Sequence, residues 1–140
     1  MTPEEFIDTA ERLLCEPASE ADRRSAVSRS YYGAFHACIA SIPREYTPAR
    51  DRVMSSESHR AVVDALTGWG AKLVSGRTVA SQVSRELAVL KRARRHADYD
   101  LTRTLNEHDV GSCVRQSRKI VTLIRYARER HDQSALAGSG

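Results

Sequence analysis

The sequence predicts an all-α fold, an up-down helical bundle of four to five helices. Three observations carry that expectation. Apolar residues recur at steps of three and four along most of the chain, helix caps stand at the heads of those runs, and no stretch alternates apolar with polar residues as a strand would. Successive amphipathic helices with short connections bury their stripes most economically against one another in a bundle.

The elements follow in order. Thr2 with Glu5 forms a capping box and Pro3 suits the first helical position, so a helix runs from Pro3 to Cys15 with Phe6, Ala10, Leu13 and Leu14 as its stripe. Pro17 breaks it. A long helix extends from Ser19 to Ser41, with Val27, Tyr31, Ala34, Phe35 and Cys38 facing inward, and Pro43 stops it. Residues 44–55, with Pro48 and no periodicity, read as an irregular, mobile loop. A short helix from Ser58 to Thr67 ends at Gly68, and Trp69 and Gly70 turn the chain. Ser75-Gly-Arg-Thr78 leads into the next helix, and Leu101 to Leu105 connect that helix to the last one. Asn106 caps the last helix, striped by Val110, Cys113, Val114, Ser117, Val121, Ile124 and Ala127. One domain over residues 1–132 and a flexible tail over 133–140 complete the organisation.

The helix after Ser75 is the most informative. Val79, Val83, Leu87 and Leu90 form its apolar stripe, which continues at helical spacing onto Arg94, Ala97 and Asp98 within Lys91-Arg-Ala-Arg-Arg-His-Ala-Asp-Tyr-Asp100. A guanidinium and a carboxylate thus stand where a core helix would place Leu or Val. Burial of charge is costly unless it is paired, and Arg94 and Asp98 have the i, i+4 spacing for mutual contact. A groove, a subunit interface or a site is expected there.

Composition sets the bounds. The chain has 140 residues, enough for one domain that buries roughly two-thirds of its unfolded surface. Its 22 basic and 18 acidic residues give a net charge of +4, a mixed surface with a basic bias that permits nucleic acid as a partner. Cys15, Cys38 and Cys113 are scattered and lack paired spacing, so neither a disulfide framework nor a zinc site is indicated, and no cofactor or metal is expected. No run approaches the ~20 apolar residues of a membrane span and no signal-like N-terminus is present, so a cytoplasmic protein without membrane association is expected.

Three segments together resemble a known family: Arg29-Ser-Tyr-Tyr-Gly-Ala-Phe-His36, Ser58-His59, and Arg94-Arg-His-Ala-Asp-Tyr-Asp100. They are similar to HEPN-domain proteins, in particular the small single-domain prokaryotic branch with an Arg-x-x-Ala-Asp-Tyr signature, over roughly Thr2 to Ala127. The resemblance implies a helical bundle, a homodimer, and a toxin–antitoxin or defence setting. Its function would be either metal-independent endoribonuclease activity on RNA or a non-catalytic role as a partner-binding or nucleotide-sensing module beside a nucleotidyltransferase or antitoxin. Cleavage by the RNA's own 2′-hydroxyl needs a proton-transfer group and a cation for the developing phosphorane charge, which His and Arg supply.

The catalytic branch places a His four to six residues clear of an Arg. Arg29–His36, Arg52–His59, Arg103–His108 and Arg125–His131 all meet that spacing, so in this Arg-rich chain the pattern decides nothing. His96, the histidine of the signature segment, lacks it, since Lys91 occupies the required position. It has Arg92 at i, i−4 and Tyr99 at i+3 instead. The candidate catalytic residues are accordingly His96 as acid–base, Arg92 and Arg94 on phosphate and Tyr99 as orienter. Packing explanations stand beside these. Arg94 with Asp98 equally suits a structural pair at a dimer seam; Tyr31, Tyr32 and His36 suit core or interface roles; Lys91, Arg92 and Arg95 suit a solvated basic face; and His59 suits capping or helix packing.

Overall fold

A computed structural model of the chain describes residues 1–15, 18–72 and 76–138. Among the described residues there are six α-helices and no strand: α1 (Pro3–Leu13), α2 (Glu20–Ser41), α3 (Arg50–Val53), α4 (Ser58–Gly70), α5 (Gly76–Tyr99) and α6 (Glu107–Gly138), with a single 3₁₀ turn at Arg44–Tyr46. The expected breaker Pro17, Ser75 of the lead-in, and Ser139 and Gly140 of the tail lie outside the described residues.

Local chemistry sets the helix starts. Thr2 and Glu5 complete the capping box of α1. A second box, Ser19 with Asp22, opens α2: the Asp22 amide donates to Ser19 Oγ (3.0 Å) and the Ser19 amide donates back to Asp22 Oδ2 (3.2 Å). At the head of α6 the Asp109 amide donates to Asn106 Oδ1 (2.8 Å), as the sequence indicates.

The long helix α2 is the hub, packed against α1, α5 and α6. All five residues of its expected inward face are buried, and they meet Val83, Leu87 and Leu90 of α5 and Ile120 and Ile124 of α6 in one core. At Gly33 α1 comes so close that a Cβ would lie 2.6 Å from Ile7 Cγ1, so only glycine fits there. Ile7, not Phe6, therefore joins the expected Ala10 as a buried α1 residue of the core. The buried Ser117 hydroxyl of α6 donates to Ser30 O of α2 (2.7 Å), so this polar member of the α6 stripe is satisfied across the helix contact.

Three boundaries differ from expectation. Helix α4 does not end at Thr67 but continues through Gly68 and Trp69 to Gly70. Trp69 is 2% exposed and its indole donates to His131 Nδ1 (3.2 Å), so burial against α6 outweighs the glycine signal. Residues 44–55 contain the 3₁₀ turn and α3, held by the Thr47 hydroxyl on Pro43 O (3.1 Å) and by an Arg52–Asp64 ion pair to α4 (3.4 Å). Helix α6 runs past residue 132 to Gly138, because its Gln, Ala and Leu residues favour the helix even where exposed.

Candidate functional site

The C-terminal half of α5 carries the site, and a residue of α2 fixes where it ends. The last carbonyls of a helix have no partners within it and concentrate negative potential. Here the Arg24 guanidinium fills that position: Nη1 donates to Ala97 O (2.8 Å), Asp100 O (3.0 Å) and His96 O (3.3 Å), while Nη2 donates to Arg103 O. Arg24 Nε is held by Glu20 Oε1 (3.1 Å), and Glu20 also accepts from the Leu105 amide and from Arg23. The Leu105 amide, then Arg23 and Arg24, hold the Glu20 carboxyl below the usual carboxylate range. One charge cluster at the start of α2 therefore seals the end of α5 and the connector after it.

Where the α5 stripe turns polar it meets the aromatic face of α2. Arg94 Nη1 donates to Asp98 Oδ2 (2.9 Å). The guanidinium lies over the rings of Tyr31 and Tyr32, 5.4 and 5.5 Å from their centroids, a cation–π contact with both. The Arg94 side chain is 16% exposed and that of Asp98 30%, so the expected pair exists and is largely shielded. Behind it the Tyr31 hydroxyl contacts His59 Nδ1 (3.0 Å). Burial pushes the Tyr31 phenol well up, opposed by Arg94, and burial with Lys91 and Arg94 pulls the His59 imidazole down. Both rings are held uncharged beside a cation.

The second face of α5 points away from α2. Lys91, Arg92, Arg95, His96, Tyr99 and Asp100 line an open concavity of about 640 Å³ whose walls come entirely from α5 and its C-terminal end. His96 Nδ1 stands 3.9 Å from Asp100 Oδ2. Thr102, through its hydroxyl (2.6 Å) and its amide (3.2 Å), holds the Asp100 carboxyl below its usual range. This arrangement sets an imidazole, a carboxylate beside it and three cations along one open face.

The eight candidate residues divide between these faces. His96, Arg92 and Tyr99 come together on the open face. Arg94 joins Asp98, Tyr31 and Tyr32 at the α2 seam, where its charge is already committed. His36 is on neither: it is exposed on α2, stacked on Phe6 with centroids 5.2 Å apart. Sequence reasoning missed Arg24 and gave His59 only a capping or packing role; α4 has no side-chain cap and His59 instead reaches Tyr31. No group of three or more His, Cys, Asp and Glu residues suited to a metal exists among the described residues. Among these residues no helix is long and apolar enough to cross a membrane. Comparison with known proteins returns no family model, no curated protein and no solved structure that matches the chain.

Proposed function

We propose that this chain is a HEPN-type protein that acts on RNA through the C-terminal half of α5. In this reading a homodimer places two such faces together and His96 serves metal-independent cleavage at a 2′-hydroxyl. The observation that carries the reading is the convergence of Lys91, Arg92, Arg95, His96 and Tyr99 on one open face. Three cations there match a phosphodiester backbone, and Tyr99, 74% exposed, offers a ring on which a base can stack. In the chemistry, His96 moves the proton between the 2′-hydroxyl and the leaving oxygen while Arg92 holds the phosphorane charge. A face built from one helix leaves the substrate open to water, so a second copy is what would enclose it. A toxin or defence role follows from such an activity.

The test is RNA binding and cleavage by the purified protein with and without chelator. Cleavage unchanged by chelator and lowered about 10²-fold or more by His96→Ala supports the catalytic reading. A second reading, a non-catalytic module that binds a nucleotidyltransferase or an antitoxin, is favoured by the closure of Arg94 and Asp98 on each other. RNA binding with no cleavage by wild type selects a binding role over catalysis, and loss of both removes the RNA reading.

A further inference from the structure

The outward face of α2 carries hydroxyls and a guanidinium without hydrogen bonds in the bundle, beside rings that pack on Phe6 and Arg94. Ser25, Ser28, Arg29, Tyr32 and His36 follow one another at steps of one to four residues, and a helix rises about 1.5 Å per residue, so they form a strip roughly 16 Å long. Among the described residues, the hydroxyls of Ser25, Ser28 and Tyr32 and the guanidinium of Arg29 make no hydrogen bond or ion pair. Two buried serines, by contrast, are bonded: Ser30 Oγ donates to Ala26 O (2.9 Å) and Ser117 Oγ to Ser30 O. The rings form a ladder, with Arg29 over Phe6 (5.9 Å), Phe6 stacked on His36, and Tyr32 6.4 Å from His36. Beside the strip, Ser25, Ser28, Arg29 and Tyr32 line a groove of about 520 Å³ whose other wall includes Ala97, Asp98 and Leu101.

We infer that this strip is a binding path for single-stranded RNA, continuing the open face of α5 around the end of that helix and along α2. The inference rests on the RNA reading above and extends it to residues outside that face. Three features select a nucleic acid over a protein partner. Each uncommitted group can donate to a phosphate or ribose oxygen, and the hydroxyls can also accept from the ribose 2′-hydroxyl. Of the charged residues lining the groove, Asp98 is paired with Arg94 and Arg24 with Glu20, which leaves Arg29 as the one without an ion pair among the described residues. Among the described residues Leu101 is the one exposed large apolar side chain that lines the groove, so the groove lacks the apolar patch that marks an extensive protein interface. Arg29 fits phosphate, while the exposed His36 ring offers a sequence-tolerant stacking surface. Asp98 and Tyr99 are successive residues of α5, so the groove and the open face adjoin.

Fluorescence anisotropy with a labelled oligouridine of about 12 nucleotides tests the path. Arg29→Glu and Ser28→Glu, both at positions outside the core, are expected to raise Kd about tenfold or more with an unchanged melting curve. His36→Ala should raise it about fivefold or more through lost stacking. Arg29→Ala should reduce the slope of log Kd against log salt by about 0.7, one phosphate contact on a single strand. If wild type binds no RNA, the RNA reading and the path both fall. If Arg92→Glu and Arg95→Glu weaken binding while the strip variants match wild type, the path alone is overturned. Strip variants that leave RNA binding intact but shift the sedimentation coefficient would make the strip a contact between copies, which also overturns the proposal.

Discussion

Replacing Arg24 with Met tests whether one side chain closes the end of the helix that carries the site. Methionine keeps most of the aliphatic stem, so packing against the end of α5 is largely preserved and the guanidinium alone is removed. The side chain is 13% exposed, and its donors serve the carbonyls of His96, Ala97, Asp100 and Arg103. Hydrogen bonds to a charged group contribute about 1.5–3 kcal/mol each, but water replaces part of what is lost at the outer carbonyls, so the net cost is about 2–4 kcal/mol. At this chain length about 3 °C of Tm is lost per kcal/mol, which predicts a fall of about 6–12 °C. Arg24→Lys should fall between, because a single ammonium cannot span the four carbonyls and Glu20 together. Thermal melts by circular dichroism measure the loss, and hydrogen exchange over residues 96–105 locates it. A Tm within 2 °C of wild type and unchanged exchange in that segment would refute the capping argument.

The other predictions concern packing and pH. Gly33→Ala should destabilise by about 1–3 kcal/mol because its Cβ would meet Ile7 at 2.6 Å, whereas Gly68→Ala, with nothing within 4 Å of the added atom, should stabilise α4 by about 0.5–1 kcal/mol; urea midpoints of the two variants should move in opposite directions. Burial, with Lys91 and Arg94 for His59, lowers the imidazoles of His59 and His36 in the folded chain. The unfolded chain then binds more protons below an ordinary value near 6.5, so this contribution is complete above that pH and shrinks as pH falls below it. Melts between pH 7.5 and 5 should show a decline that the His36→Gln, His59→Gln double variant flattens, and an equal decline in that variant would assign the effect to other groups.

Much of the fold is legible in the sequence because helical periodicity reports burial directly. The inward face of α2 and the stripes of α5 and α6 fall where the spacing puts them, and the caps at Thr2 and Asn106 form as their side chains dictate. Apart from the tail of α6, where local helix propensity extends the helix, the failures share one cause, tertiary contact overriding a local signal. Gly68 and Gly70 read as an end to α4, yet Val62, Leu66 and Trp69 continue at helical spacing into the core, a periodicity the glycines obscured. Arg24 is invisible to local reasoning because the carbonyls it caps lie 72 to 79 residues away, and His59 meets Tyr31 across 28.

The candidate site was legible in a different sense. A charged pair interrupting an apolar stripe marked Arg94 and Asp98, and that breach of the pattern falls where α5 crosses the tyrosines of α2. The breach identifies the seam between the helices, with Arg94 packed on two rings and paired once, its charge no longer available to a ligand. The cations left free of the seam are those that the stripe leaves outside, Lys91, Arg92 and Arg95, with His96 among them, and the proposed RNA reading rests on these. The two faces are thereby coupled: the seam and the Arg24 cap fix the position and end of α5, and with them the spacing of Arg92, His96 and Tyr99. On the RNA reading, loosening either should disturb binding at the open face. Because Arg24 also lines the α2 groove, Arg24→Met in the oligouridine assay acts both by displacing the helix and by removing that cation, and it should still weaken binding less than Arg92→Glu, which reverses a charge on the open face itself.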